Sequence, residues 1–182
     1  ECGMWIKNPN VRIVDGRFHA GMSIKKTDII IINYDILSNE YDKYTDCETG
    51  KKKAKEIPNT GWVDYLIDLK PKVIGIDECH AIKHNSYRSK AVIKLCKKVP
   101  HVIAISATAF ENKPIELYNT LNVVRPDIFS NWMSFGRKFC AGKRGGFGWE
   151  FKGASNMAEL NRMLNEHLMI RRRKKDVLKD LP

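Results

Sequence analysis

Long hydrophobic runs are missing from this 182-residue chain. No stretch reaches the roughly 18 apolar residues of a membrane-spanning helix, so the sequence predicts no membrane partner. A secretory leader pattern is missing too, although the first residue is Glu1 and the natural start is expected upstream. Paired cysteine motifs are also lacking. The five cysteines are an odd number with no Cys-x-x-Cys among them, which argues against a disulfide framework and against a zinc site. A reducing, intracellular home is expected: cytoplasmic for a bacterial or viral source, nuclear for a eukaryotic one. Cys79 and Cys96 fall on apolar positions and read as core. No phosphate-gripping Gly-x-x-x-x-Gly-Lys-Ser/Thr loop occurs. Gly50-Lys51 is followed by Lys52, Gly142-Lys143 by Arg144, and Lys26-Thr27 has no glycine before it. No arginine finger and no internal repeat can be assigned.

Acidic residues are few beside the basic ones: 21 against 32, for a net charge of +11. Such an excess favours a polyanionic partner, most simply nucleic acid. The plainer alternative is a lysine-rich surface that only keeps the protein soluble. The length suits one domain with a full core, and 43% hydrophobic residues is ordinary for a globular protein.

Against this background, Lys72-Val73-Ile74-Gly75-Ile76-Asp77-Glu78-Cys79-His80 stands out. A short β-branched run reads as a buried strand, and it ends in two adjacent carboxylates with a histidine two residues on. Open α/β sheets place their ligands at such carboxyl ends. A second strand of the same kind, His101 to Ile105, ends in Ser106-Ala107-Thr108. Read more plainly, Asp77 or Glu78 is a helix cap.

Other elements follow from pattern. Val11–Val14 and Asp28–Asn33 read as strands, the second nearly all isoleucine and so expected to be central and covered on both faces. Tyr34 starts a helix. Residues 38–61 are polar and lysine-rich and read as an exposed, mobile insertion. Trp62, Val63, Leu66 and Ile67 mark a helix ended by Pro71, and Ala91, Val92, Leu95 and Cys96 another, closed by Pro100. Beyond Thr108, Pro114 opens a helix whose face is Ile115, Tyr118, Leu121 and Val124. Trp132, Phe135 and Phe139 begin an amphipathic segment. Residues 140–154 form a glycine-rich loop with Phe147, Trp149 and Phe151. Asn156 with Glu159 resembles a capping box ahead of the Met157, Leu160, Met163, Leu164, Leu168 face. The basic run Arg171 to Lys175 is either a solvated helix face or a phosphate contact.

These residues resemble the Swi/Snf-type DNA-dependent ATPases, the double-stranded DNA translocases of helicase superfamily 2. Ile31-Ile32-Asn33-Tyr34-Asp35, Asp77-Glu78-Cys79-His80-Ala81-Ile82-Lys83 and Ser106-Ala107-Thr108-Ala109-Phe110-Glu111-Asn112 are similar to three successive family motifs. Glu116 to Phe129 fits the helix that follows, and Ile170 to Pro182 is similar to the segment leaving the first lobe. Gly148-Trp149 to Gly153, with Asn156 and Glu159-Leu160, is most similar to the annealing-helicase branch. The resemblance implies an α/β, RecA-like three-layer sandwich with a parallel sheet, here an incomplete first helicase lobe plus a helical protrusion. Residues 1–126 would be the partial lobe, with its phosphate loop upstream, 127–170 the protrusion, and 171–182 a basic exit toward a second RecA-like lobe of the same parent.

The resemblance also implies roles. Asp77 would hold Mg2+, Glu78 would act as general base on the water that attacks ATP, and His80 would link this strand end to Ser106 and Thr108, with Asn112 in the same coupling motif. Asn33, Tyr34, Lys83, Arg171 and Arg172 would contact double-stranded or forked DNA through phosphates, without reading sequence. The family's Gly and Pro are Ala107 and Ala109 here, which alters the loop. This chain alone is expected not to hydrolyse ATP. Two other classes stay open: a module on the same fold that binds DNA or a partner without hydrolysis, and a divalent-metal nuclease, for which Asp64, Asp68 and Lys83 are the available side chains.

Overall fold

In the computed structural model, which describes residues 7–18, 21–24, 28–107, 113–146 and 148–171, β1 (Val11–Val14) and β2 (Ile29–Ile32) pair in parallel with Ile13 opposite Ile31. The chain divides into two compact units, Glu1–Ile74 with His84–Val102, and Gly75–Lys83 with Ile103–Pro182. Within the first unit, period-2 alternation puts Val11, Ile13, Ile29 and Ile31 on one face of the β1–β2 pair. That face is open: Ile13 is 67% and Ile31 47% exposed, whereas Val14 on the opposite face is buried. The isoleucine run was expected to be covered on both faces, and only one is. A run of β-branched residues records which side chains favour burial, not which element supplies the cover.

Helix α1 (Tyr34–Leu37) begins at Asn33, whose side chain caps it by accepting the Asp35 N–H at 3.0 Å. Helix α2 (Val63–Asp68) follows Trp62, which is almost fully buried and donates its indole N–H to Gly16 O at 2.7 Å. Helix α3 (Tyr87–Cys96) is capped by Ser86 and buries Ala91, Val92, Leu95 and Cys96, the stripe read from the sequence.

Residues 38–61 are not an irregular loop. They contain β3 (Glu40–Thr45) and β4 (Lys52–Ile57), an antiparallel hairpin with Glu40 opposite Ile57. Every β4 residue is exposed, so no apolar alternation advertised it. The backbone ladder and the turn hold it instead, and Tyr41 stacks on Tyr87 of α3 at 3.6 Å. In the turn, Asp46 accepts from the N–H groups of Glu48 and Thr49 and from Thr49 Oγ1, and pairs with Lys53. Gly50 supplies the left-handed residue, at φ +63°. The Lys53 ammonium first, then the Thr49 bonds, pull the Asp46 carboxyl from its ordinary 3.8 down to about 2. A depressed carboxyl stabilises the fold above its unfolded pKa and loses that contribution as pH falls through the folded one. Hydrogen exchange at the Glu48 and Thr49 amides is therefore expected to stay slow down to about pH 4 and to quicken, after correction for intrinsic rates, as pH falls toward 2. Protection that persists unchanged at pH 2 removes Asp46 from the turn's support.

The second unit holds the ends of β5 (Val73–Ile76) and β6 (His101–Ala104). Ile105 donates to Ile76 O at 2.8 Å and accepts from Cys79 N at 2.9 Å. These bonds continue the β5–β6 pairing just past the strand ends. A 3₁₀ turn, Cys79–Ile82, follows β5, and another, Pro114–Leu117, leads into α4 (Tyr118–Val124). Next come α5 (Trp132–Phe139), the hairpin β7 (Lys143–Gly145) and β8 (Gly148–Glu150), and α6 (Met157–His167). One core joins Leu117, Tyr118 and Leu121 to Phe129, Phe135, Phe139, Cys140, Phe151, Leu160 and Leu164. Full burial of each large member is worth about 1.5–3 kcal/mol.

Three local expectations change here. Residues 140–154 carry the short β7–β8 hairpin. Val123, not Val124, is buried in α4. The capping box at Asn156 does not form: Asn156 is left-handed (φ +50°) and donates its amide to Lys138 O at 2.8 Å, while Glu159 pairs with Lys138. Residues on a neighbouring helix outbid the local box. Among the described residues the strands pair two by two, and no helix is long and apolar enough to cross a membrane.

Candidate active site

The chemistry-bearing turn grows from the end of β5. Asp77 accepts the Glu78 N–H at 2.9 Å, and Glu78 then takes a left-handed backbone, φ 45° and ψ 54°. That region is costly for a residue with a Cβ. The strain is held by bonds to both polar groups of the peptide that follows: Cys79 N–H to Ile105 O, and Ala81 N–H to Glu78 O at 2.8 Å. The 3₁₀ turn is anchored beneath by Ile82, which is fully buried and whose carbonyl accepts from Asn119 of α4 at 2.7 Å.

This geometry turns the Glu78 carboxylate outward while burying the next residue, Cys79. Glu78 and His80 remain open to solvent, with His80 Nδ1 3.1 Å from Glu78 Oε2. Nδ1 itself is buried and makes no hydrogen bond. Burial pushes the Cys79 thiol up, partly opposed by hydrogen bonds with Thr120 and Ser106. Cys79 is thus a neutral thiol and not a reactive thiolate.

The structure therefore brings Asp77, Glu78, His80 and Ser106 together in one unit, and joins Ser106 to the turn through Cys79. Asn119 and Thr120, which brace the turn, were missed from the sequence; they sit in an ordinary amphipathic helix and carry no motif. Lys83 closes the 3₁₀ turn, its N–H bonded to His80 O at 3.2 Å. Asn33 and Tyr34 belong to the other unit, where Asn33 caps α1. Arg171 is exposed at the end of the described residues. Thr108, Asn112 and Arg172 lie outside them.

The donor set suits magnesium, which takes one or two carboxylates and keeps its remaining positions for water and phosphate. Among the described residues no group of three His, Cys, Asp or Glu could cage a metal. Of the nuclease candidates, Asp64 is ion-paired with Lys94 at 2.5 Å. The thiols of Cys47, Cys79, Cys96 and Cys140 are free, as the cysteine pattern predicts.

Comparison with known proteins assigns the family. A family model described as the SNF2-related domain matches residues 7–182. The SWI/SNF-related matrix-associated actin-dependent regulator of chromatin subfamily A-like protein 1 of Bos taurus is 42% identical over 117 residues, 63% of this chain and 12% of its own length. The DNA annealing helicase and endonuclease ZRANB3 of Mus musculus is 33% identical over 125 residues, 66% of this chain and 12% of its own. ZRANB3 of Bos taurus aligns with 100% of this chain at 27% identity, over 16% of its own length. The chain thus spans only 12% to 16% of the length of these curated relatives. The likeness read from the motifs, including that to annealing helicases, is borne out: the chain belongs to the SNF2-related domain family.

Proposed function

We propose that this chain is part of the first RecA-like lobe of an ATP-dependent double-stranded DNA translocase that anneals or remodels forked DNA. The observation that carries the reading is Glu78: a carboxylate held outward on a strained, doubly pinned backbone at a strand's carboxyl end, beside Asp77 and the Ser106 strand exit. Strain of this kind clusters at functional sites. Magnesium, when bound, neutralises charge on the phosphates. In this reading Asp77 would hold it, and Glu78 would orient and deprotonate the attacking water. Ser106, tied to Cys79, gives the turn a mechanical link to the next strand end, where the coupling motif continues to Thr108 and Asn112. DNA contact falls to Asn33, Tyr34, Lys83, Arg171 and Arg172, through phosphates.

The three-layer sandwich belongs to the same proposal, as does the division into lobe (1–126), protrusion (127–170) and exit (171–182). Open isoleucines on β1 and β2, and the exposed Ile103 and Ile105, support a further layer supplied by the parent. Relatives named as a regulator of chromatin and an annealing helicase support a nuclear site of action.

The test is DNA-stimulated ATP hydrolysis by the full-length parent across a magnesium titration. Asp77→Asn is expected to raise the magnesium needed for half-maximal rate by about tenfold or more, as loss of a metal-site group does. An unchanged magnesium requirement takes Asp77 out of the metal site.

A further inference from the structure

The hairpin and the helix next to it carry aromatic and basic groups that the ATPase reading leaves unused. Trp149 of β8 and Trp132 of α5 are 38% and 45% exposed. Between them lies the buried ring of Phe151, parallel to Trp149 within 9° and edge-on to Trp132 at 4.7 Å. Phe151 is locked in place because Gly136 and Gly142 leave room for its ring; a Cβ at either glycine would meet it at 2.6–2.7 Å. The two tryptophans are thus the outer ends of a fixed aromatic row. Large aromatic side chains are normally well covered, and two left open together on rigid elements mark a contact surface.

Charge decides what that surface contacts. Arg137 lies over the Trp149 ring at 5.0 Å, and Arg144 sits directly across the hairpin from Trp149. Lys143 adds a further exposed cation. The two carboxylates nearby are already used, Glu150 by Lys152 and Glu159 by Lys138. Among the described residues Arg137, Lys143 and Arg144 have no carboxylate partner. Part-exposed indole rings, one already carrying an arginine over its face and both beside uncompensated cations, match a nucleic-acid strand with unpaired bases, which offers flat rings for stacking and phosphates for the cations. A duplex hides its base faces and an acidic peptide has none.

We propose that Trp149, flanked by Arg137 and Arg144, is a stacking site for unpaired nucleobases of a single strand, with Trp132 extending it. The site needs neither Asp77 nor Glu78, so it stands apart from ATP hydrolysis.

Equilibrium binding by the whole chain tests it, using labelled oligothymidylate, an abasic strand of equal length, and polyglutamate as competitor. Oligothymidylate is expected to bind about tenfold or more tighter than the abasic strand, the size of one lost stacking contact. Trp149→Ala should erase that difference and Trp149→Phe should keep most of it. Arg144→Glu, at an exposed position, should weaken both strands several-fold without disturbing the fold. Equal binding of the two strands by the natural chain overturns the proposal. So does a difference that survives Trp149→Ala, absence of binding, or polyglutamate that competes as well as the oligonucleotide, which assigns the surface to an acidic protein.

Discussion

Glu78→Gln in the full-length parent is expected to lower DNA-stimulated ATP turnover by roughly 10²-fold or more, the scale of general-base catalysis. Glutamine keeps the length and shape of the side chain. The bonds that set the left-handed turn, from Glu78 N–H to Asp77 Oδ1 and from Ala81 N–H to Glu78 O, do not involve the Glu78 carboxylate. Nucleotide affinity should therefore change little while the chemical step slows. Glu78→Gly separates chemistry from strain. Glycine takes the φ of 45° freely, so the protein should gain stability, by about 1 kcal/mol, and lose turnover as glutamine does. Turnover within about threefold of normal for Glu78→Gln denies Glu78 the role of base. In that outcome the module that binds DNA without hydrolysing ATP becomes the better reading.

The site was legible where chemistry needs a particular residue type at a strand end. Asp77, Glu78, His80 and Ser106 were placed at the ends of β5 and β6 from apolar runs and their terminators, and all four fall in the second unit. What the motif did not disclose is how they are held. The left-handed backbone at Glu78, the buried Cys79 bonded to Thr120 and Ser106, and the Asn119 anchor under Ile82 are tertiary, made by residues far along the chain, Asn119 lying 37 positions from Ile82. No local pattern encodes them.

Fold legibility divides on the same line. Helices with a buried stripe, such as α3 and α6, were read from periodicity, since that signal is the burial itself. Residues 38–61 were read as an exposed, mobile insertion; the β3–β4 hairpin within them went unread because β4 is exposed along its whole length and backbone bonding leaves no mark on side-chain pattern. At Asn156 the motif was read and the structure chose otherwise, because Lys138 offered its carbonyl to the Asn156 amide and its ammonium to Glu159. Local signals lost wherever a neighbouring element competed for the same groups.

Gly61→Ala is expected to be the most damaging small change in the first unit. Gly61 is buried at the point where the chain leaving β4 is pressed against the end of α1. A Cβ there would stand 2.5 Å from Leu37 O, 2.5 Å from Ser38 C and 2.6 Å from Asn39 N. All three are backbone atoms, so no rotamer change relieves the clash and the two segments must part. Separation pulls on the bonds that fix this junction: the Gly61 N–H to Asn39 Oδ1 at 2.8 Å, and the Trp62 N–H to Ile36 O at 3.3 Å. It also shifts Trp62, whose ring is packed edge-on to Phe18 and Tyr65. Overpacking of this kind costs about 1–3 kcal/mol, which lowers the melting temperature by roughly 2–12 °C in a chain of this size. Gly146→Ala is the control, since a Cβ there meets nothing within 4 Å; it should melt within about 1–2 °C of the parent sequence. The consequence reaches function through α1. That helix starts at Asn33 and Tyr34, two of the proposed DNA contacts, and ends at the residues Gly61 abuts. Phosphate-dependent DNA binding is therefore expected to weaken in Gly61→Ala below its melting point. If Gly61→Ala melts no earlier than Gly146→Ala, the close approach at this junction does not hold α1. If it melts early yet binds DNA as tightly at low temperature, Asn33 and Tyr34 do not contact DNA.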